Sequence, residues 1–241
     1  MTWRKVWTWH LWLGVGLVLP LVWWLSTAIV FILWPMDVVQ GRHLATAEAT
    51  KTEPLPPGLQ LPASLVDGSR SLNIQRVAGH IVAIAHRPEG AQMWDLEQGV
   101  NMGSVIPLAW AEQAARRGFK GPFEVEAVYL FGPDGIGNKL SGVGPEALAP
   151  PGEFPGPFPS YAFHLSKGPS THFYVNALNG EALQRRTGIW RAYDLAFRLH
   201  SLDFVWEGAR RALMGVVGLG GLLAGLSGAL MAWKRLRKRP A

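Results

Sequence analysis

The chain has 241 residues, with 23 Lys and Arg against 17 Asp and Glu, a formal net charge of +6 and no cysteine. The lack of cysteine excludes disulfides, Cys-ligated zinc, iron–sulfur clusters, covalent c-type haem and thiol catalysis. The positive balance does not point to nucleic acid: residues 35–207 hold all 17 acidic residues against 14 basic ones, about −3, and the excess comes from the two ends with Arg210 and Arg211.

Residues 1–5 carry Arg4 and Lys5 and precede an uncharged run, residues 6–34. That run exceeds the roughly 20 residues a helix needs to cross a bilayer core. A cleaved signal peptide is the competing reading, but the run is about twice a usual apolar region of 7–15 residues and no A-x-A site follows it directly. Trp3, Trp7, Trp9 and Trp12 crowd one end and Trp34 marks the other, an aromatic belt at headgroup level. Pro20 removes a backbone donor and predicts a bend. Trp23, Trp24, Ser26 and Thr27 lie deeper than a belt requires and are expected to face another helix or a ligand. His10 is the only ionisable residue in the span, and Gly14 at i+4 opens a notch on its face. An ionisable group inside a membrane is a functional candidate, although His10 also lies near enough to the interface to reach water.

Residues 35–62 read as a linker, rich in Gly, Pro and polar residues from Thr50 to Pro62. Two similar units follow. In residues 63–104, strands are predicted at Leu72–Val77, His80–His86 and Gln92–Leu96, the last leading into Asp95-Leu-Glu-Gln-Gly99. In residues 105–187, a helix is predicted over Leu108–Gly118, then strands at Phe123–Phe131, Tyr161–Leu165 and His172–Ala177, ending in Asn176-Ala-Leu-Asn-Gly180. The two Asp/Asn-x-x-x-Gly turns occupy equivalent places and suit side chains that bond their own backbone before a glycine at positive φ. The pattern is an α+β domain of two antiparallel-sheet units with helices. Residues 132–159 form a Gly/Pro-dense insertion, and loops of that length are usually functional or disordered; a lid and a docking segment are both open. His164 and His172 fall on neighbouring strands, where surface or half-buried histidines are commoner than a metal site.

Residues 188–211 are predicted as an amphipathic juxtamembrane helix. From Trp190 to Trp206 there is no Gly or Pro, and Tyr193, Phe197, His200 and Phe204 form one stripe. Asp203, at i+3, is placed to orient His200. Residues 212–233 are the second uncharged span, and residues 234–241 a basic tail expected to lie on the anionic inner leaflet. With positive charge beyond both spans, both termini are expected on the cytoplasmic side and the middle outside it. Gly218, Gly221, Gly225 and Gly228 share one helix face. Such a face lets a second backbone approach closely: the first span, another copy, or a flat cofactor.

The segments Pro159-Ser-Tyr-Ala-Phe-His-Leu, Thr171-His-Phe-Tyr-Val-Asn-Ala-Leu-Asn-Gly-Glu and Ala192-Tyr-Asp-Leu-Ala-Phe-Arg-Leu-His-Ser-Leu-Asp-Phe, with Arg4-Lys5-x-Trp7-x-x-His10-x-Trp12-x-Gly14, resemble the PepSY-associated transmembrane family of iron-regulated membrane proteins. The resemblance covers both ends and the second unit well and the first unit loosely. It implies a bacterial cytoplasmic (inner) membrane protein with PepSY-like units outside. Some longer four-helix relatives reduce ferric siderophores with b-type haem on helix histidines; His10 and His200 match the recurrent histidines, so His10, His200 and Gly14 form the implied haem site. PepSY modules elsewhere inhibit or chaperone proteases.

His10 and His200 are not expected to share one iron. His10 is near the cytoplasmic face, whereas His200 precedes the second span by 12 residues. If the helix continues, His200 stands roughly 18 Å beyond the span at 1.5 Å per residue; otherwise it lies flat at the interface. A bis-histidine site therefore needs a second copy or a membrane-protein partner. No His-Glu-x-x-His, Gly-x-Ser-x-Gly or P-loop motif is present, and Gly135-Ile-Gly137 has no helix after it. The resemblance, with His10, His200 and the glycine face of the second span, implies an accessory or binding subunit in envelope iron or electron-transfer chemistry, able to hold b-type haem as an oligomer. The alternative is a cofactor-free module that holds a peptide or protease at the bilayer surface.

Overall fold

The computed structural model describes residues 3–46, 55–149, 151–166 and 170–237. In chain order its elements are α1 (Trp3–Leu33), α2 (Met36–Val39), a 3₁₀ turn (Arg42–Leu44), α3 (Ala63–Val66), β1 (Ser71–Val77), β2 (His80–Arg87), β3 (Gly90–Asp95), β4 (Val100–Gly103), α4 (Leu108–Gly118), β5 (Val125–Phe131), β6 (Gly137–Gly142), β7 (Ala147–Leu148), β8 (Ser160–Leu165), β9 (His172–Asn176), β10 (Ala182–Arg186), α5 (Gly188–Ser201) and α6 (Glu207–Arg237). The chain divides into two units, one of residues 1–35 with 192–241 and one of residues 36–191.

The terminal unit is built on α1 and α6, 31 residues each. At 1.5 Å per residue each is about 46 Å long, and both are long and apolar enough to cross a membrane. Neither resembles the core helix of a soluble protein, since only 6% of each apolar window is buried and residues such as Leu19 and Ile32 are open. α1 stays helical through Pro20. The two helices meet antiparallel on a seven-residue repeat. Lys234 lies over the Trp3 ring at 4.2 Å, His10 meets Ser227, and Leu17 meets Gly220. A seven-residue spacing keeps one seam facing its partner, because two helical turns take about seven residues. Further along the same stripe of α1, Trp24 and Phe31 face α5 instead. Glu207 in the first turn of α6 and Lys234, Arg235 and Arg237 in its last turn suit the signs of the helix ends.

The glycines of α6 divide differently from expectation. A Cβ on Gly228 would stand 3.1 Å from the His10 ring, but one on Gly218, Gly221 or Gly225 would meet nothing within 4 Å. The seam follows 220, 227 and 234, and at 100° per residue the other three glycines point between about a third and half of a turn away. The amphipathic helix also differs. It stops at Ser201, where Leu202 takes a left-handed φ of 57° and the Asp203 N–H returns to the Arg198 carbonyl at 2.9 Å. A break over residues 202–206 separates it from α6.

The second unit is an α+β fold with two antiparallel sheets, ordered β1-β2-β3-β4 and β10-β9-β8-β5-β6-β7. Alternation of side chains along each strand accounts for the layers. Val82, Ile84 and Met93 of the first sheet and Val128, Phe163, Phe173 and Val175 of the second meet Ala111 and Ala115 of α4 in one core. The two sequence units therefore share a single interior. Ala83 and Ala85 turn the other way, onto Leu65 of α3. Ala127, Tyr129, Phe131, Ala162 and Tyr174 also turn away, and meet Phe154 and Phe158.

Phe154 and Phe158 belong to the Gly/Pro-dense insertion. That segment is neither lid nor disorder over its described residues: it supplies β6 and β7 and covers the second face of the six-stranded sheet, with Phe154 stacked on Tyr174 at 4.1 Å. The expected linker is likewise partly built in. Val39 is buried, Leu44 packs on the main core, and the Leu44 carbonyl accepts the Lys120 N–H at 2.7 Å; residues 47–54 lie outside the described residues. Both Asx turns form, with Asp95 Oδ1 accepting the Glu97 N–H and Asn176 Oδ1 the Leu178 N–H, and with Gly99 and Gly180 at φ 67° and 69°.

Candidate functional site

The two histidines picked out by the sequence are held alike. His10 Nδ1 lies 2.8 Å from Ser227 Oγ, and that hydroxyl lies 3.0 Å from the Ala224 carbonyl, to which it donates. With its proton committed, Oγ accepts from Nδ1–H, and the Nε2 lone pair is left outward. His200 Nδ1 lies 2.9 Å from Thr27 Oγ1, whose own proton goes to the Trp23 and Trp24 carbonyls at 3.1 and 3.0 Å. The result is again an Nδ1–H tautomer with Nε2 carrying the lone pair. Neither Nε2 has a hydrogen-bond partner among the described residues.

The surroundings of the two rings differ. His10 lies against Gly228, and Gly14, one turn away, has no atom within 4 Å of where a Cβ would be, so the notch on its face is open. His200 sits among aromatic rings, with Phe31 edge-on at 5.3 Å and Trp24 tilted at 6.4 Å. Trp23 and Trp24 donate their indole N–H groups to the Leu199 and His200 carbonyls at 3.1 and 2.9 Å. These bonds cap the last carbonyls of α5 and explain why two tryptophans lie so deep in α1.

Asp203 does not orient His200. It pairs with Arg210, and Thr27 takes the role expected of it. His200 stands beside Thr27, six residues before the end of α1. Thr27 and His10 are 17 positions apart on one helix, about 25 Å at 1.5 Å per residue. One chain does not bring its two helix histidines to one iron.

A second polar cluster lies in the other unit, centred on Glu153 from the insertion. Its carboxylate accepts from His172 Nδ1 at 2.5 Å, Tyr174 OH at 3.0 Å and Arg191 Nε at 2.8 Å, while its carbonyl accepts from Arg186 Nε at 2.7 Å. Burial alone would raise the Glu153 pKa, but the hydrogen bonds and charges of His172 and Arg191 outweigh it and hold the carboxyl down to about 2. Burial first, and the Glu153 charge second, push the Tyr174 phenol up. His164 and His172 come together as the strand register allows, with rings stacked at 3.7 Å and 8°. Parallel rings aim their lone pairs side by side rather than at one point, and His172 Nδ1 is already engaged, so the pair is not a chelate. Burial, then the neighbouring His172, brings the His164 pKa down to about 4.

A carboxylate held ionised by an Arg fork and two further donors is a clamp rather than a proton donor: it ties the insertion to β9 and to the first turn of α5. No local signal in the sequence marks Glu153, a single acid among prolines and glycines whose partners lie 19 to 38 positions away.

Comparison with family models, with curated proteins and with solved structures finds no match to this chain.

Proposed function

We propose that this chain is a two-pass cytoplasmic-membrane protein of the PepSY-associated type, both termini cytoplasmic, acting as an accessory subunit in envelope iron or electron-transfer chemistry. Each copy offers single imidazole ligands to b-type haem, and a second copy or a membrane partner completes the coordination. One observation carries this reading: both helix histidines are fixed through Nδ1 to a hydroxyl whose proton is already committed, which leaves Nε2 as the free donor. Metal-binding histidines are oriented in this way, the second ring nitrogen donating to a neighbour. Imidazole holds haem iron axially, and the group when bound supplies one-electron transfer.

The test is a reduced-minus-oxidised spectrum of the full chain purified in mild detergent after haem-replete expression. Haem absorption is expected at no more than one haem per histidine pair, lost in His10→Ala or His200→Ala and weakened in Ser227→Ala. Absence of haem, or a spectrum unchanged in both histidine variants, would sink the redox reading.

A cofactor-free binding module is the second reading, favoured by the rim of the six-stranded sheet. β7 pairs only with Gly137 and Asn138, so Leu140 to Gly142 of β6 has no outer strand among the described residues, and Leu140 and Val143 are exposed. An open strand edge accepts an extended peptide. Because Glu153 and Phe154 are structural, the test is Leu140→Lys with Val143→Lys rather than deletion of the insertion. Peptides selected on the purified chain should bind that variant at least tenfold more weakly; equal binding would end this reading.

A further inference from the structure

We infer that His80, Asp95 and Glu97 form a divalent metal site for a zinc-class ion in the second unit, separate from the helix histidines and from the Glu153 clamp. The site follows from strand geometry. Ala78 and Gly79, with φ of 51° and 97°, make the two-residue turn that begins β2 at His80. Asp95 pairs with Val82, two residues along, so His80 and Asp95 are diagonal neighbours on one face of the sheet. Glu97 follows in the Asx turn, and the His80 ring is fixed by stacking on Trp110 of α4 at 3.9 Å and 13°.

Asp95 divides its oxygens. Oδ1 accepts the Glu97 and Gln98 N–H groups at 2.9 and 3.0 Å and so builds the turn. Oδ2 belongs to a residue only 1% exposed, makes no hydrogen bond, and points at His80 Nδ1, which also has none. They are 3.3 Å apart, with Glu97 Oε2 at 3.9 Å from the same nitrogen, and the three donor atoms lie within 4.8 Å of one another. Two ligands at about 2.0–2.1 Å from a tetrahedral zinc ion stand about 3.4 Å apart, so the His80–Asp95 pair already spans one edge of that polyhedron. Glu97, more exposed, closes the third position by side-chain rotation. An imidazole with two carboxylates favours zinc or another first-row divalent ion over magnesium or calcium, which take all-oxygen sets. Three protein ligands leave a fourth position for water or a substrate atom.

The experiment is zinc titration of the full chain in detergent, stripped with chelator and read by competition with a chromophoric chelator. One ion per chain at micromolar affinity or tighter is expected. Affinity should fall at least tenfold in Glu97→Gln and in His80→Ala and stay unchanged in His164→Ala; cobalt should give a visible band that His80→Ala removes. The exposed Glu97→Gln keeps the test valid even where the His80 variant fails to fold. No stoichiometric ion, or an affinity unmoved by Glu97→Gln, would overturn the site and leave His80 and Asp95 as an ion pair alone.

Discussion

His164 lies ring on ring with His172, and its protonation works against the fold. Its pKa is about 4 in the folded chain and near 6.5 when exposed, so the unfolded chain takes up the proton first. The stability this difference represents is complete above about pH 6.5 and is lost as pH falls towards 4. Glu153 acts over the next window: held at about 2 against an ordinary 4.5, it contributes above pH 4.5 and its contribution disappears as pH falls towards 2. The melting temperature of the detergent-solubilised chain, followed by near-ultraviolet circular dichroism, should therefore fall steadily from pH 7 to pH 3. His164→Gln should flatten the upper part of that profile and keep the lower part; a wild-type curve level from pH 7 to pH 4 would contradict the assignment. At this scale the sequence named His10 and His200 but not their partners. Asp203 at i+3 was the only local candidate for His200, and the hydroxyl that takes its place lies 173 positions away.

Among the elements, the insertion departs furthest from its sequence appearance. Gly and Pro conceal a two-strand extension and an aromatic plug because the pattern that reveals a strand needs several alternating residues, and β7 has two. Phe154 is 1% exposed within the second core. Phe154→Ala should cost about 3–5 kcal/mol, read as a lower urea midpoint, whereas Val143→Ala on the exposed rim should stay within about 0.5 kcal/mol. Equal effects would mean that the plug is not part of the core. The end of α5 was hidden for a related reason. Helix stops are read from glycine in the left-handed conformation, and here Leu202 takes it, bracketed by the Asp203–Arg210 pair. Similarly, His80, Asp95 and Glu97 appeared only as a strand start and a turn, because their convergence depends on strand register.

Taken whole, the chain was legible where long apolar runs and strand alternation speak for themselves: two membrane-length helices around an α+β middle with two antiparallel sheets. The shared core was not, because two similar units read in sequence say nothing of which faces meet. Nor was the seam between the terminal helices. Trp3, His10, Leu17, Trp24 and Phe31 fall every seven residues, but they differ so much in character that no apolar repeat shows. That seam also sets an order in time. Leu17 finds Gly220 only after about 200 more residues have been made, a delay of about 10–40 s at roughly 5–20 residues per second. Through that interval α1 waits alone, with the Nδ1 proton of His10 and the indoles of Trp23 and Trp24 lacking the acceptors they later find. Biosynthesis thus gives the first helix a long stage in which these polar groups have to find other partners than the ones they end with.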